Sequence, residues 1–233
     1  MRNSFVISWV SVAMLTLLFG CVSSRVNWDE VATKAKAGDA ESQFGLGCRY
    51  DFGEGIPKDQ SEAAKWYRLA AEKGHAAAQN NLGSLYQFGA GVAQDYTLAR
   101  EWYEKSVALG YPMALNNLGY LYRFGLGVET NAQRAADLYK RAAEKGDPSA
   151  MVNLGIAYAD GTGVTKDLIE AYKWLDLARF HTVSSSDMRL KWGCRKALDR
   201  VAARMSQEQM AEAEKRAREF DKRWRPSLFI PGR

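Results

Sequence analysis

Histidine and cysteine are scarce in this chain of 233 residues, which has two of the first and three of the second. His75 follows a glycine expected to end a helix, and His181 stands where a repeating pattern breaks down. Neither has a partner at metal-ligand spacing on one helix face, so no metal site is expected. No nucleophile elbow and no serine–lysine motif occurs, which leaves hydrolytic chemistry without its usual sequence marks. Extreme charge is missing too. A net charge of +5, with 25% charged and 47% hydrophobic residues, excludes a disordered chain and a polytopic membrane protein. Long apolar runs are confined to the first twenty residues.

There, Arg2 is the one charge before an apolar stretch from Phe5 to Phe19, broken only by Ser8, Ser11 and Thr16. At about 1.5 Å per residue this stretch reaches roughly 22 Å, short of a hydrocarbon core of about 30 Å. Residues 1–20 therefore read as a secretory signal peptide. The segment ends Leu18-Phe19-Gly20-Cys21, which resembles a bacterial lipobox. The resemblance implies lipid attachment at Cys21, a short linker over 21–27 and, with Val22 next, an outer-membrane destination. The lipid bilayer would then be a partner through the acylated N-terminus, each buried methylene contributing about 0.8 kcal/mol. The alternative is a plain signal peptide followed by a coincidental cysteine. Cys48 and Cys194 are separated by the intervening repeats, so a disulfide between them is not expected and buried thiols are.

What the chain has in quantity is glycine, and much of it is periodic. Leu-Gly-x-x-Tyr followed by Gly-x-Gly recurs four times at a 36-residue interval: Gly47, Gly83, Gly119 and Gly155, with Tyr50, Tyr86, Tyr122 and Tyr158. Such a period marks a stacked solenoid. Each unit reads as two helices. The first helices are expected over Ala40–Phe52, Ala76–Phe88, Pro112–Phe124 and Pro148–Ala159. Pro112 and Pro148 sit at helix starts, where proline sacrifices no intrahelical bond. Mid-helix glycine costs about 1 kcal/mol against alanine, a cost that close approach of a neighbouring helix would explain.

Asp59, Asp95, Asn131 and Asp167 then stand in one phase as N-caps, and Glu62 and Glu170 three residues later suggest capping boxes. Gly74, Gly110 and Gly146 end the second helices. Trp28–Lys36 reads as a capping helix that precedes the first full unit. The pattern Ala-x-x-x-Leu-Gly-x-x-Tyr-x-x-Gly-x-Gly-x-x-x-Asp, continued by Ala-x-x-Trp-Tyr-x-x-Ala-x-x-Gly, resembles the Sel1-like repeat, a relative of the tetratricopeptide repeat. The resemblance implies an all-α, right-handed superhelical solenoid over 28–182 that serves as an adaptor or scaffold for protein complexes. A cysteine-rich branch of that family is associated with β-lactam binding, and this chain lacks its repeated cysteine pairs.

Beyond the repeats, Met188, Trp192, Leu198, Val201 and Met205 recur at helical spacing, and Ser206 with Gln209 forms a capping box. A C-terminal helical hairpin is expected over 183–226, then a tail over 227–233. From Asp187 onward there are thirteen basic and seven acidic residues, whereas 21–186 carries eighteen and twenty. Glu208, Glu212, Glu214, Glu219 and Asp221 alternate with the cations, which reads as a solvated face. Contact with a membrane surface is left open, and nucleic acid is not expected because aromatics do not interleave the basic residues.

No catalytic residue, cofactor or small-molecule substrate is expected. The Gly-x-Gly loops follow helices, so they are turns and not phosphate cradles. In related solenoids the first helices line the concave face, which makes Asn80, Asn81, Ser84, Gln87, Asn116, Asn117, Tyr120, Arg123 and Asn153 the candidate partner-binding residues. An amide can donate to and accept from an extended peptide, but the same asparagines could brace the helix pair internally. Phe52, Phe88 and Phe124 share a phase and are expected in the core. The expectation is an exported scaffold or adaptor in a bacterial envelope or periplasm, with a protein or peptide partner. The alternatives are a β-lactam-binding or peptidoglycan-processing enzyme, or a regulator of envelope stress or secretion acting through a membrane-protein partner.

Overall fold

Local capping decides where each helix begins. The computed structural model describes residues 26–182 and 187–224, and among them are eleven α-helices and no strand. The expected signal peptide, Cys21, Ser184–Ser186 and the tail at 227–233 lie outside the described residues. In chain order the helices are α1 (Trp28–Lys36), α2 (Ala40–Phe52), α3 (Gln60–Glu72), α4 (Ala76–Phe88), α5 (Tyr96–Ala108) and α6 (Pro112–Phe124). They continue as α7 (Ala132–Glu144), α8 (Pro148–Asp160), α9 (Leu168–His181), α10 (Met188–Ala202) and α11 (Gln207–Trp224). None is long and apolar enough to cross a membrane.

Asp59, Asp95, Asn131 and Asp167 cap the second helices, their side-chain oxygens accepting backbone N–H groups at 2.8–3.0 Å. The capping boxes expected at Glu62 and Glu170 do not form. Those carboxylates turn to Lys65 and Lys173, at 2.5 and 2.6 Å. The N-cap's own N–H donates instead to the carbonyl of the signature tyrosine, from Asp59 to Tyr50, Asp95 to Tyr86, Asn131 to Tyr122 and Asp167 to Tyr158, at 2.8–3.0 Å. The Gly-x-Gly loop brings the cap back onto the preceding helix. A fixed backbone acceptor there is preferred to a glutamate that would lose rotamer freedom. Ser206 and Gln209 do form a reciprocal box, at 2.9 and 3.2 Å.

First helices have a cap phase of their own. Asp39, His75 and Asp147 accept from Ser42, Ala78 and Ala150, while Tyr111 makes no side-chain cap and leaves Pro112 to start α6. Burial pushes the Asp147 carboxyl up to about 6, while hydrogen bonds from Ala150 and Ser149 pull the other way. With an unfolded value of about 3.9, the folded state keeps a proton that the unfolded chain has lost between about pH 4 and 6. This contribution is therefore present below about pH 4 and is lost as pH rises through about 6. Asp147→Asn keeps the cap and removes the titration. In urea melts at both pH values, wild type is expected to lose about 1–3 kcal/mol relative to this variant between pH 4 and 7.

The chain divides into two compact units, one spanning 21–138 and the other running from 139 onward, with α7 crossing the boundary. In the first, α1 packs on α2 and each helix on its successor through α6. Mid-helix glycines let the aromatics of the second helices approach: a Cβ on Gly83 would lie 2.8 Å from the Tyr103 ring. Tyr67 and Tyr103 are accordingly fully buried, beside Ala63, Ala99 and Leu82. In the second unit Leu175 takes the tyrosine's place, 2.7 Å from a Cβ on Gly155. There α9 is the hub: it packs on α8, α10 and α11, and α10 also touches α8. Trp174 meets Phe220 edge to face at 5.0 Å, and Arg216 reaches Glu170 at 3.2 Å.

The second loop glycine of two repeats is more than a turn. A Cβ on Gly127 would lie 2.5 Å from the carbonyl carbon of Tyr96, and one on Gly91 would overlap the backbone of Gln60 and Ser61. Each loop is thus seated on the start of the previous unit's second helix, where Ser61 Oγ also donates to the Gly91 carbonyl at 3.1 Å. A Cβ on Gly55 would meet nothing within 4 Å among the described residues.

Candidate functional site

The polar residues expected to bind a partner separate into two groups. Asn80, Gln87, Asn116 and Asn117 are buried. Asn117 Nδ2 donates to Asn80 Oδ1 at 2.9 Å, and Asn80 Nδ2 donates to Asn81 Oδ1 at 3.2 Å, so an amide chain links α6 to α4. The Tyr103 hydroxyl donates to Gln87 Oε1 at 2.8 Å. Buried polar atoms need such partners, and here they join adjacent units. Bracing accounts for Asn80, Asn117 and Gln87. Asn81, Ser84, Tyr120, Arg123 and, in the second unit, Asn153 remain partly exposed.

Phe88 and Phe124 correct the expectation of core packing: they are 37% and 53% exposed, whereas Phe52 is partly buried against the core. All three stand at the last residue of a helix before a left-handed glycine C-cap, so a shared phase does not give them a shared environment. Phe124 lies against Tyr120 with ring centroids 4.6 Å apart, and the Arg123 guanidinium sits 5.3 Å from the Phe124 ring. Partial burial raises the Tyr120 phenol above its ordinary value, with Tyr96 acting in the same direction and Arg123 opposing. Two tilted aromatic rings and an arginine thus stand together on the last turn and a half of α6. Tyrosine and arginine in such a setting are the residue types that anchor protein interfaces.

Little at this surface supports bond-making chemistry. Burial pushes both the Cys48 and Cys194 thiols up to about 12, which leaves almost no thiolate at neutral pH. Both cysteines are buried and free. His75 is committed to its cap, its Nδ1 accepting from Ala78 while Nε2 donates to Glu41 at 3.0 Å. Among the described residues no three His, Cys, Asp or Glu side chains gather as metal ligands. Sequence reasoning missed the first-helix caps, although Asp39 and Asp147 stand in one phase immediately before a helix. It also missed Gln43 and Gln79, whose amides donate at 3.0 Å to Ala35 and Ala71 at the end of the preceding helix.

Comparison with known proteins matches the Sel1 repeat at residues 40–75, 76–111, 112–147 and 148–179. A secretory immunoglobulin A-binding protein, EsiB, from Escherichia coli O6:H1 is 41% identical over 61 residues, 24% of this chain and 12% of that protein. The crystal structure of a Sel1 repeat protein from Oxalobacter formigenes superposes with a TM-score of 0.66 at 30% identity, covering 88% of this chain and 78% of that one. The structure of c5321, described as a protective antigen of uropathogenic Escherichia coli, has a TM-score of 0.55 at 26% identity. It is covered over 52% of its length, against 88% of this chain. This chain therefore spans about half of that structure and a small part of EsiB.

Proposed function

Because this chain belongs to the Sel1 repeat family, whose repeats mediate protein–protein interaction and are generally non-enzymatic, we propose that it is a scaffold or adaptor for a protein partner in a bacterial envelope. The observation that carries this reading is the Tyr120–Arg123–Phe124 cluster, in which Phe124 is exposed and Tyr120 and Arg123 are partly exposed. Its chemistry suits a peptide segment that offers an apolar side chain to the two rings and a carboxylate to the guanidinium. Immunoglobulin binding is named for a relative matched over 12% of its length, and the proposal stops at a protein partner.

A photo-cross-linking residue in place of Phe124 should give discrete adducts in cells that one in place of exposed Leu69 does not. Combined Tyr120→Ala and Arg123→Ala should reduce co-purification of the adducted protein at least about thirtyfold, as loss of a hot spot of about 2 kcal/mol implies. Identical adducts from both positions, or undiminished co-purification, would sink this surface.

The envelope location rests on residues 1–21, where the lipobox resemblance places the acyl chains on Cys21. Cys21→Ser is expected to block processing of the signal peptide and to remove the acylated form from membrane fractions, checked by fractionation and mass measurement of the mature chain. Unchanged mass and fractionation would count against the anchor.

A further inference from the structure

Charges in the C-terminal segment divide between its two helices. The acidic residues that alternate with cations lie on α11, where Glu212 pairs with Arg216 at 2.9 Å and Glu214 with Arg218 at 3.7 Å. Helix α10 carries Arg189, Lys191, Arg195, Lys196 and Arg200 against Asp199 alone, and none of these cations is ion-paired among the described residues. Leu190, Cys194, Ala197, Leu198 and Val201 form its buried face, which packs toward α9 and α8. The opposite face exposes Met188 and Trp192, at 70% and 55%. Trp192, Arg195, Lys196, Asp199, Arg200 and Ala203 line a single surface depression, with Lys196 Nζ 4.8 Å from the Trp192 ring.

We propose that this face of α10 docks on an anionic phospholipid surface, with Trp192 and Met188 entering the headgroup region and the cations beside them meeting lipid phosphates. Charge complementarity selects this occupant. A bilayer supplies many mobile phosphates to a stripe of unpaired cations about 18 Å long from Met188 to Arg200, at about 1.5 Å per residue. Tryptophan favours the interface because one edge of its ring is apolar and the other donates a hydrogen bond. Lysines and arginines near a negative membrane surface each contribute enough to change binding about fivefold. A helix that buries one apolar stripe in its own domain and keeps an exposed tryptophan among cations can lie flat on that surface. The proposal is independent of the α6 cluster, which belongs to the other compact unit.

The test uses the full chain carrying Cys21→Ser, with an environment-sensitive fluorophore on Ala203→Cys; the buried Cys48 and Cys194 thiols remain unlabelled. Vesicles of phosphatidylcholine with phosphatidylglycerol should shift the emission to the blue, and phosphatidylcholine alone should not. A label at Glu208→Cys on α11 should stay in water throughout. Arg195→Gln with Lys196→Gln should lower the ratio of docked to free α10 about 25-fold, following the fivefold effect of each cation. Trp192→Ala should weaken docking without changing its dependence on anionic lipid. Equal emission with both vesicle types overturns the proposal, as does a shift that survives Arg195→Glu with Lys196→Glu. A shift produced by a soluble acidic protein or an oligonucleotide, and not by anionic vesicles, also overturns it.

Discussion

Tyr103→Ala is expected to lower the unfolding free energy by about 3–5 kcal/mol, the range for removing a large aromatic side chain from a core that cannot collapse into the space. Tyr103 is fully buried, its ring fills the groove above Gly83, and its hydroxyl donates to buried Gln87. Tyr103→Phe separates these contributions. It keeps the ring and leaves the Gln87 acceptor without its phenol partner, for a loss of about 1–3 kcal/mol. Urea denaturation followed by far-ultraviolet circular dichroism reads both values. If the two variants lose the same amount, the hydrogen bond and not the packing carries this position. Restoring space with Gly83→Ala in the Tyr103→Ala background should recover part of the loss, because alanine improves helix propensity once the ring is gone.

The second large effect concerns coupling between units. Gly91→Ala is expected to destabilise by about 1–3 kcal/mol more than Gly55→Ala, the usual cost of forcing atoms into a packed interface. The two glycines share a φ of +71°, so the strain of a left-handed alanine is common to both and cancels in the comparison. They differ in surroundings: a Cβ on Gly91 runs into the backbone of Gln60 and Ser61, whereas one on Gly55 meets nothing among the described residues. In a stacked array, stability is a sum of unit and nearest-neighbour terms, and Gly91 belongs to the neighbour term. Gly91→Ala should therefore also broaden the urea transition and lower its slope, as cooperativity between units weakens. Equal losses and equal slopes for the two variants would show that the loop does not couple the units.

Both expectations depend on contacts that local patterns reveal only in part. The glycines of Leu-Gly-x-x-Tyr announced that something large comes close, and at Gly47, Gly83 and Gly155 it is Tyr67, Tyr103 and Leu175. The helix limits were legible because they depend on groups within one turn: Asp59 caps Ser61 and Glu62, and Gly89 follows Phe88 as a left-handed C-cap. Glu62 and Glu170 were misread because the competing acceptor, the tyrosine carbonyl across the loop, is nine residues away and invisible to a cap motif. Phe88 and Phe124 were misread because a shared phase on a helix does not give a shared environment. The amides divided for the same reason. Asn80 and Asn117 differ by one position from Asn81 and Asn116 in their own repeats, yet the bond between them spans two units.

By itself the sequence determined that this protein is an array of helix pairs with a 36-residue period, where the first helices of the pairs run to within a residue, and that its family is one of protein-binding repeats. Capping, glycine placement and apolar spacing act over a few residues, so one chain read in order contains them. Only the tertiary structure decided which asparagines brace neighbouring helices, that Tyr120, Arg123 and Phe124 lie together, and that the α10 cations share one surface depression with Trp192. Those outcomes depend on which side chain a neighbouring helix places opposite each position. That neighbour is set by packing between units and not by the local order of residues.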